Sequence, residues 1–339
     1  MGVFVYLPLV LPLTALPMAR LAEQHLHPRS ATRLLSVASS TLALCSTLCL
    51  VLLMVAGTAQ LPGNPLPDSW SGPEVSAAVP YEEKAGLIAI GVLAAVLTAC
   101  CGTLLRHART RIRATRALPE AAALPEAATL LDRTGHGGAG HGGAGHGGTG
   151  DLVVVASTGP YAYALPGRRG RGGRVVVSTA MMDCLDARER RALVAHERAH
   201  LTGRHHRHLL VTQLAARANP LLLPLRTAVA YSTERWADEE AAYAIGSRRA
   251  VATAVGKAAL FSHRPPGSRV LPAFAAAGPV PRRVAALLDP EPSAGLWPPA
   301  SAHLAVAAVT ATVGTAASAL SSLNATVTLV GILHAATPL

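Results

Sequence analysis

The 339-residue chain is 50% apolar yet carries a formal net charge of +11 with only 14% charged residues, about half the charged share of an ordinary soluble protein. Such apolar content excludes a disordered chain, and the long uncharged stretches argue against one soluble domain. The five cysteines, Cys45, Cys49, Cys100, Cys101 and Cys184, have no spacing that suggests a zinc knuckle or a disulfide framework.

A membrane span needs about 20 apolar residues to cross roughly 30 Å of hydrocarbon. Four stretches qualify: residues 2–19, interrupted by Pro8, Pro12 and Pro17, then 34–57, 85–105 and 302–339. The first has no positive residue ahead of it, so it does not read as a cleaved signal peptide. The last exceeds one span and leaves two readings open, a tilted helix with an apolar tail or a span plus a re-entrant segment. Between the first two stretches lie Arg20, Arg29 and Arg33 against Glu23. The loop 58–84 has Lys84 against Asp68, Glu74, Glu82 and Glu83, and Arg106, Arg109, Arg111, Arg113 and Arg116 follow the third stretch at once. The Lys/Arg bias places the N-terminus outside, 20–33 inside, 58–84 outside and 106–301 inside. That central segment holds 26 of the 30 Lys/Arg residues against 14 acids, a topology signal and an attraction to anionic lipid. No direct nucleic-acid partner is expected, because no basic stripe is interleaved with stacking aromatics.

Within the central segment, 106–134 reads as helix broken by Pro119 and Pro125. The repeat at 135–150 carries His136, His141 and His146 among glycines. Glycine at that density holds neither helix nor strand, so the stretch reads as a flexible spacer rather than a metal site. Residues 152–156 and 174–178 read as strands around Tyr161–Ala164 and Pro166-Gly167, a small sheet with a basic Gly-rich hairpin at 167–173. Residues 186–210 read as one long helix, with Asp186 as N-cap and Glu189 completing a capping box.

On that helix His196-Glu197-Arg198-Ala199-His200 fits H-E-x-x-H. Side chains four residues apart share a helical face, with Cβ atoms about 5–6 Å apart, so both imidazoles reach one zinc at Zn–N of about 2.0–2.1 Å. Glu197 projects beside them as a general base. The competing reading is a charged helix face that happens to hold two histidines. A catalytic zinc needs a third protein ligand. His206, reached through Gly203, matches the longer metzincin pattern, but that pattern requires a downstream Met-turn and no methionine follows Met182. Glu234 is favoured. It forms E-x-x-x-D with Asp238 on a helix expected from Ser232 to Ile245, where Asp238 can accept the second N–H of a ligating histidine. The competing reading is a solvated acidic patch with Glu239 and Glu240. Trp236, Ala237, Ala241, Ala242 and Ile245 argue for burial, and buried acids need partners.

His196–His200 in its setting, then Asn219-Pro220, then Glu234-Arg235-Trp236-Ala237-Asp238, resemble the BlaR/MecR-type membrane metallopeptidases, as does the order of three spans, a zinc domain and a fourth span. HtpX-like membrane proteases share the zinc motif and the E-x-x-x-D, with a span arrangement that fits less well. The resemblance implies a gluzincin with His196, His200 and Glu234 as ligands of one Zn2+, Glu197 as base and Asp238 behind the ligands. It also implies cleavage of the chain itself or of a winged-helix repressor. The fold class expected is a mainly α integral membrane protein with four transmembrane helices, and a zincin-like α+β metalloprotease domain at 106–301 between the third and fourth. The uncharged stretch after 301 leads us to expect no penicillin-binding sensor domain, hence no β-lactam sensing.

The expected activity is zinc-dependent endopeptidase hydrolysis of a cytoplasmic or membrane protein, at the cell membrane of a bacterium whose Ala/Arg-rich composition leaves only Lys84 and Lys257 as lysines. An extended substrate would pair with a sheet edge at Tyr161–Leu165 or Val175–Ser178. Tyr231, Tyr243 and His263 are the candidates for steadying the oxyanion. Two other classes were weighed. A non-proteolytic zinc-containing signalling protein has no use for Glu197, and a transporter would need charge inside its spans.

Overall fold

The computed structural model describes residues 5–59, 82–117, 152–167, 172–261, 280–292 and 302–336. The Gly/His repeat, His263, the expected helical stretch beyond Ala117 and the tip of the basic hairpin lie outside the described residues.

The first apolar run does not form one straight span. It folds as α1 (Leu7–Val10), a 3-10 turn (Leu11–Thr14) and α2 (Ala15–His25). Pro8 and Pro12 each open one of the short pieces, because proline fits a first helical turn but cannot donate the hydrogen bond that would continue one. Among the described residues, three helical stretches are long and apolar enough to cross a membrane: Pro28–Ala59, Ala85–Arg116 and Thr312–Ala335.

These stretches lie in α3 (Pro28–Ala59), α4 (Glu82–Ala117) and α11 (Ala302–Ala336). At 1.5 Å per residue, the 32 residues of α3 extend about 48 Å, well beyond a hydrocarbon core of roughly 30 Å. The surplus is used. The first half of α3 buries Ala31, Leu35, Leu42 and Ala43 in a core with Leu222, Leu225, Ala228 and Val229. Its second half packs Cys49, Leu50, Leu52 and Leu53 against Ala89 and Leu93 of α4 and against Ala325 and Leu329 of α11. Where α3 and α4 cross, a Cβ on Gly86 would lie 2.3 Å from the Gly57 Cα, so the close approach requires glycine.

The sheet has strands β1 (Leu152–Val155), β2 (Ala162–Leu165) and β3 (Arg174–Ser178) in the order β1-β3-β2. β1 runs parallel to β3, with Leu152 opposite Val175, and β2 runs antiparallel, with Ala162 opposite Val177. Alternation along β3 sends Val175 and Val177 into the main core with Ala192, Leu193 and Val194, and Val176 to the face covered by Ala114 of α4. β3 is therefore central and paired on both sides. Of the two edges expected to receive a substrate, Val175–Ser178 is already occupied, and Tyr161–Leu165 is the one at a sheet margin.

Beyond the sheet run α5 (Thr179–Asp183), α6 (Ala187–Thr202), α7 (His205–Ala218), a 3-10 turn (Pro220–Leu222), α8 (Leu223–Ile245), α9 (Arg248–Phe261) and α10 (Val280–Leu288). The capping box at Asp186 and Glu189 starts α6. The single helix expected over 186–210 is two. α6 ends at Gly203, and Arg204 takes the left-handed conformation at φ 51°. α8 reaches back past the expected Ser232 to Leu223. Asn219 ties this region to the N-terminal run: its Nδ2 donates to Ser46 Oγ at 3.1 Å, and that hydroxyl donates to the Pro8 carbonyl at 2.7 Å.

Candidate metal centre

α6 and α8 pack face to face and bring the motif residues together in the domain interior. His196 and His200 present their Nε2 atoms to one point, 3.1 Å apart. The Glu234 carboxylate completes a triangle, with Oε2 3.5 Å from His196 Nε2 and Oε1 3.5 Å from His200 Nε2. One donor atom from each residue lies within 4.8 Å of the others. Ligands about 2.0–2.1 Å from a tetrahedral ion stand roughly 3.3–3.4 Å from one another, so these separations fit donors around a common ion. All three side chains are at most 1% exposed. Two imidazoles and a carboxylate, buried and converging, could hold a metal ion, and the donor set is one that zinc accepts. Glu197, on the same helix, is fully buried.

The groups behind the triangle fix its geometry. His196 Nδ1 lies 3.1 Å from Asp238 Oδ1. A carboxylate only accepts, so this nitrogen carries a proton, which leaves Nε2 as the atom for a metal at the centre. Asp238 is gripped in turn by a side chain the motif gave no hint of. Arg283, on α10, donates from Nη2 and Nε to the two Asp238 oxygens at 2.6 and 2.8 Å, and its Nη1 stands 3.1 Å from Glu234 Oε2. Arg283 is fully buried. Behind the other histidine, His205 Nδ1 meets His200 Nδ1 at 2.8 Å, and the His205 ring packs on Trp236 with centroids 4.5 Å apart. The His205 ring occupies the space beside Gly203, where a Cβ would come within 2.3 Å of Nε2. The turn glycine therefore serves this imidazole.

The charges divide accordingly. Burial opposes protonation of His196, but Asp238 and then Glu234 beside it hold its pKa up at about 9. Burial, then the neighbouring His196 and His205, push His200 well below its ordinary value. Burial and His196 take His205 down to about 3, so it is neutral at physiological pH. Burial pushes Asp238 up, but the Arg283 guanidinium outweighs it and holds this carboxyl well below the usual range.

Of the sequence candidates, His196, His200, Glu234 and Asp238 meet here. His206 does not join the triangle. It stands on α7 beyond the break, and burial together with the Arg111 charge takes its pKa down to about 4. Tyr231 is covered by the Arg282 guanidinium, 4.2 Å from its ring centroid, and Tyr243 is 88% exposed, away from a fully buried centre. Glu234 and Asp238 are buried and so are not part of a solvated acidic patch; Glu239 pairs with Arg235 at 2.7 Å and also with Arg248, and the exposed Glu240 accepts from Trp236 Nε1 at 3.0 Å. Sequence reasoning missed Arg283 and His205. The only signal for His205 was its place in a His-rich run just past Gly203.

Comparison with known proteins agrees with this chemistry. Residues 131–218 match the family model described as Peptidase family M48, a stretch that includes His196, Glu197 and His200 and stops before Glu234. No curated protein and no solved structure matches the chain. The match supports the M48 metallopeptidase family, and it marks the chain as a metallopeptidase, a hydrolase acting on peptide bonds.

Proposed function

We propose that the chain is an integral-membrane zinc endopeptidase that cuts a cytoplasmic or membrane protein, with its catalytic domain on the cytoplasmic side of a bacterial cell membrane. The observation that carries this is the buried triangle of His196, His200 and Glu234, with donor atoms 3.1–3.5 Å apart, the two histidines standing on the helix that bears Glu197. In this reading the three residues hold one Zn2+. When bound, zinc supplies Lewis acidity toward the scissile carbonyl and the attacking water. Glu197 takes the proton from that water and delivers it to the leaving amine. Asp238 keeps the His196 Nδ1 proton in place, and Arg283 keeps Asp238 ionised and oriented. A buried centre excludes bulk water and strengthens each of these interactions. The extended substrate adds to the outer margin of β2, the strand beside α6.

The BlaR/MecR-like layout supports regulated proteolysis of a winged-helix repressor, and the HtpX-like alternative is removal of damaged membrane proteins. The test uses the full chain in membranes. Glu197→Gln is expected to keep about one zinc per chain while abolishing cleavage of a candidate substrate and of the chain itself. Undiminished cleavage would remove Glu197 as the base. Cutting of a co-expressed repressor, rather than of a misfolded membrane protein, decides between the two substrate classes.

A further inference from the structure

Two adjacent arginines at the start of α10 leave the helix in different directions. Successive helical residues are about 100° apart, so neighbours cannot share a face. Arg283 turns inward to Asp238 and Glu234. Arg282 turns outward, lies over the Tyr231 ring with its guanidinium carbon 4.2 Å from the centroid and pairs through Nη2 with Glu23 Oε2 at 2.8 Å. Glu23 belongs to α2, the last piece of the irregular apolar run. The other end of α10 is fixed separately. Arg248 donates to the Leu287 and Ala286 carbonyls at 3.1 and 2.7 Å, which satisfies the helix's closing carbonyls. The N-terminal turn of α10, which carries the arginine of the metal centre, is thus tied on its outer side to α2.

We propose that Glu23 and Arg282 are positioning residues through which the N-terminal apolar segment sets how firmly Arg283 is seated in the metal centre. The inference rests on the metal reading given above. The physical argument is one of leverage. Arg283 faces two buried carboxylates at once and fixes Asp238 through both of its oxygens, and removing one partner from a buried ion pair leaves the other without its counter-charge. A shift of α2 that releases Arg282 frees the first turn of α10 and loosens the grip on Asp238, and with it the orientation of His196. The outer contact itself is modest. An exposed ion pair contributes little alone, and the cation–π contact with Tyr231 adds to it. A modest tie suits a contact that is to be made and broken.

The experiment uses the full chain in lipid nanodiscs loaded with Co2+, whose visible absorption reports the coordination sphere. The variants are Glu23→Arg, Arg282→Glu, the double exchange Glu23→Arg/Arg282→Glu and the mild Glu23→Gln. Each single charge reversal is expected to weaken Co2+ retention against a competing chelator three- to tenfold and to alter the absorption band. Glu23→Gln should do so less, and the double exchange should return both readouts to within twofold of the parent. Single variants that retain Co2+ and its spectrum like the parent overturn the coupling. So does a double exchange that fails to rescue while remaining monodisperse. If single variants are aggregated, the Glu23→Gln spectrum alone decides, and an unchanged one counts against the proposal. A parent chain that binds no Co2+ overturns the metal reading, and this inference with it.

Discussion

Glu234 is the side chain on which the metal assignment turns, because from α8 it reaches the Nε2 atoms of both histidines of α6. Glu234→Ala should lower bound zinc from about one per chain to a small fraction, and His206→Ala should leave it unchanged, as read by elemental analysis of purified protein. Protons report on the same centre. With the metal-free His196 pKa held up at about 9, this imidazole is protonated at neutral pH, and an entering metal must displace that proton. Apparent metal affinity should therefore fall about tenfold for each pH unit below 9 while this one group titrates. Calorimetry in buffers of different ionisation enthalpy should read about one proton released. Arg283→Met leaves the buried Asp238 and Glu234 carboxylates uncompensated, a change expected to cost about 3–5 kcal/mol of stability and to appear as a lowered unfolding temperature. The histidines and Glu197 were legible because their spacing is local to one helix. Arg283 was not, because it arrives from 45 residues beyond Asp238 with no pattern around it; only packing of α10 on α8 brings it in.

At the level of elements, the informative break is between α6 and α7. A Pro-free, His-rich stretch reads as one helix, yet Gly203 and the left-handed Arg204 end it so that His205 can swing back under His200. Gly203→Ala would place a Cβ 2.3 Å from His205 Nε2. Displacement of that imidazole should weaken metal binding while leaving helix content by circular dichroism nearly unchanged. Gly86→Ala meets backbone instead of a side-chain end, since the Gly57 Cα lies at 2.3 Å. It should force α3 and α4 apart at about 1–3 kcal/mol, seen as earlier thermal aggregation in detergent. β1, β3 and the capping box were readable from valine runs and from Asp186 with Glu189, whereas β2, the segment AYAL, has no such run and is a strand through its pairing with β3. The prolines of the first run gave notice of irregularity, but its division into short helices held by Ser46 and Asn219 depends on contacts across the chain that no local pattern encodes.

Among the described residues, two of the apolar cores share α3, while the main core under the sheet is separate from both. One joins α7 and α8 to α2 and the first half of α3, and the other gathers α3, α4 and α11. Of the positive charge concentrated at 106–301, Arg283 is buried in the centre, whereas a partly exposed cation such as Arg282 stands outside it. Residues 106–301 expressed alone should not form a folded soluble domain, because Leu222, Leu225, Ala228 and Val229 would lose the α3 surface that covers them. Native-like near-ultraviolet dichroism from that fragment would contradict this.

The length of α3 has a spatial consequence. Its opening turns lie against the metal-centre region, with the Arg33 guanidinium 5.5 Å from the Trp236 ring, Trp236 on His205 and His205 on His200. The stretch proposed to enter the bilayer begins at the next residue. If that stretch spans the bilayer as proposed, α3, packed at both ends, holds the point of cutting at a fixed height just above the lipid. On that reading, a bond far from the membrane stays out of reach unless its protein is brought to the lipid, so where a substrate stands would matter as much as its sequence.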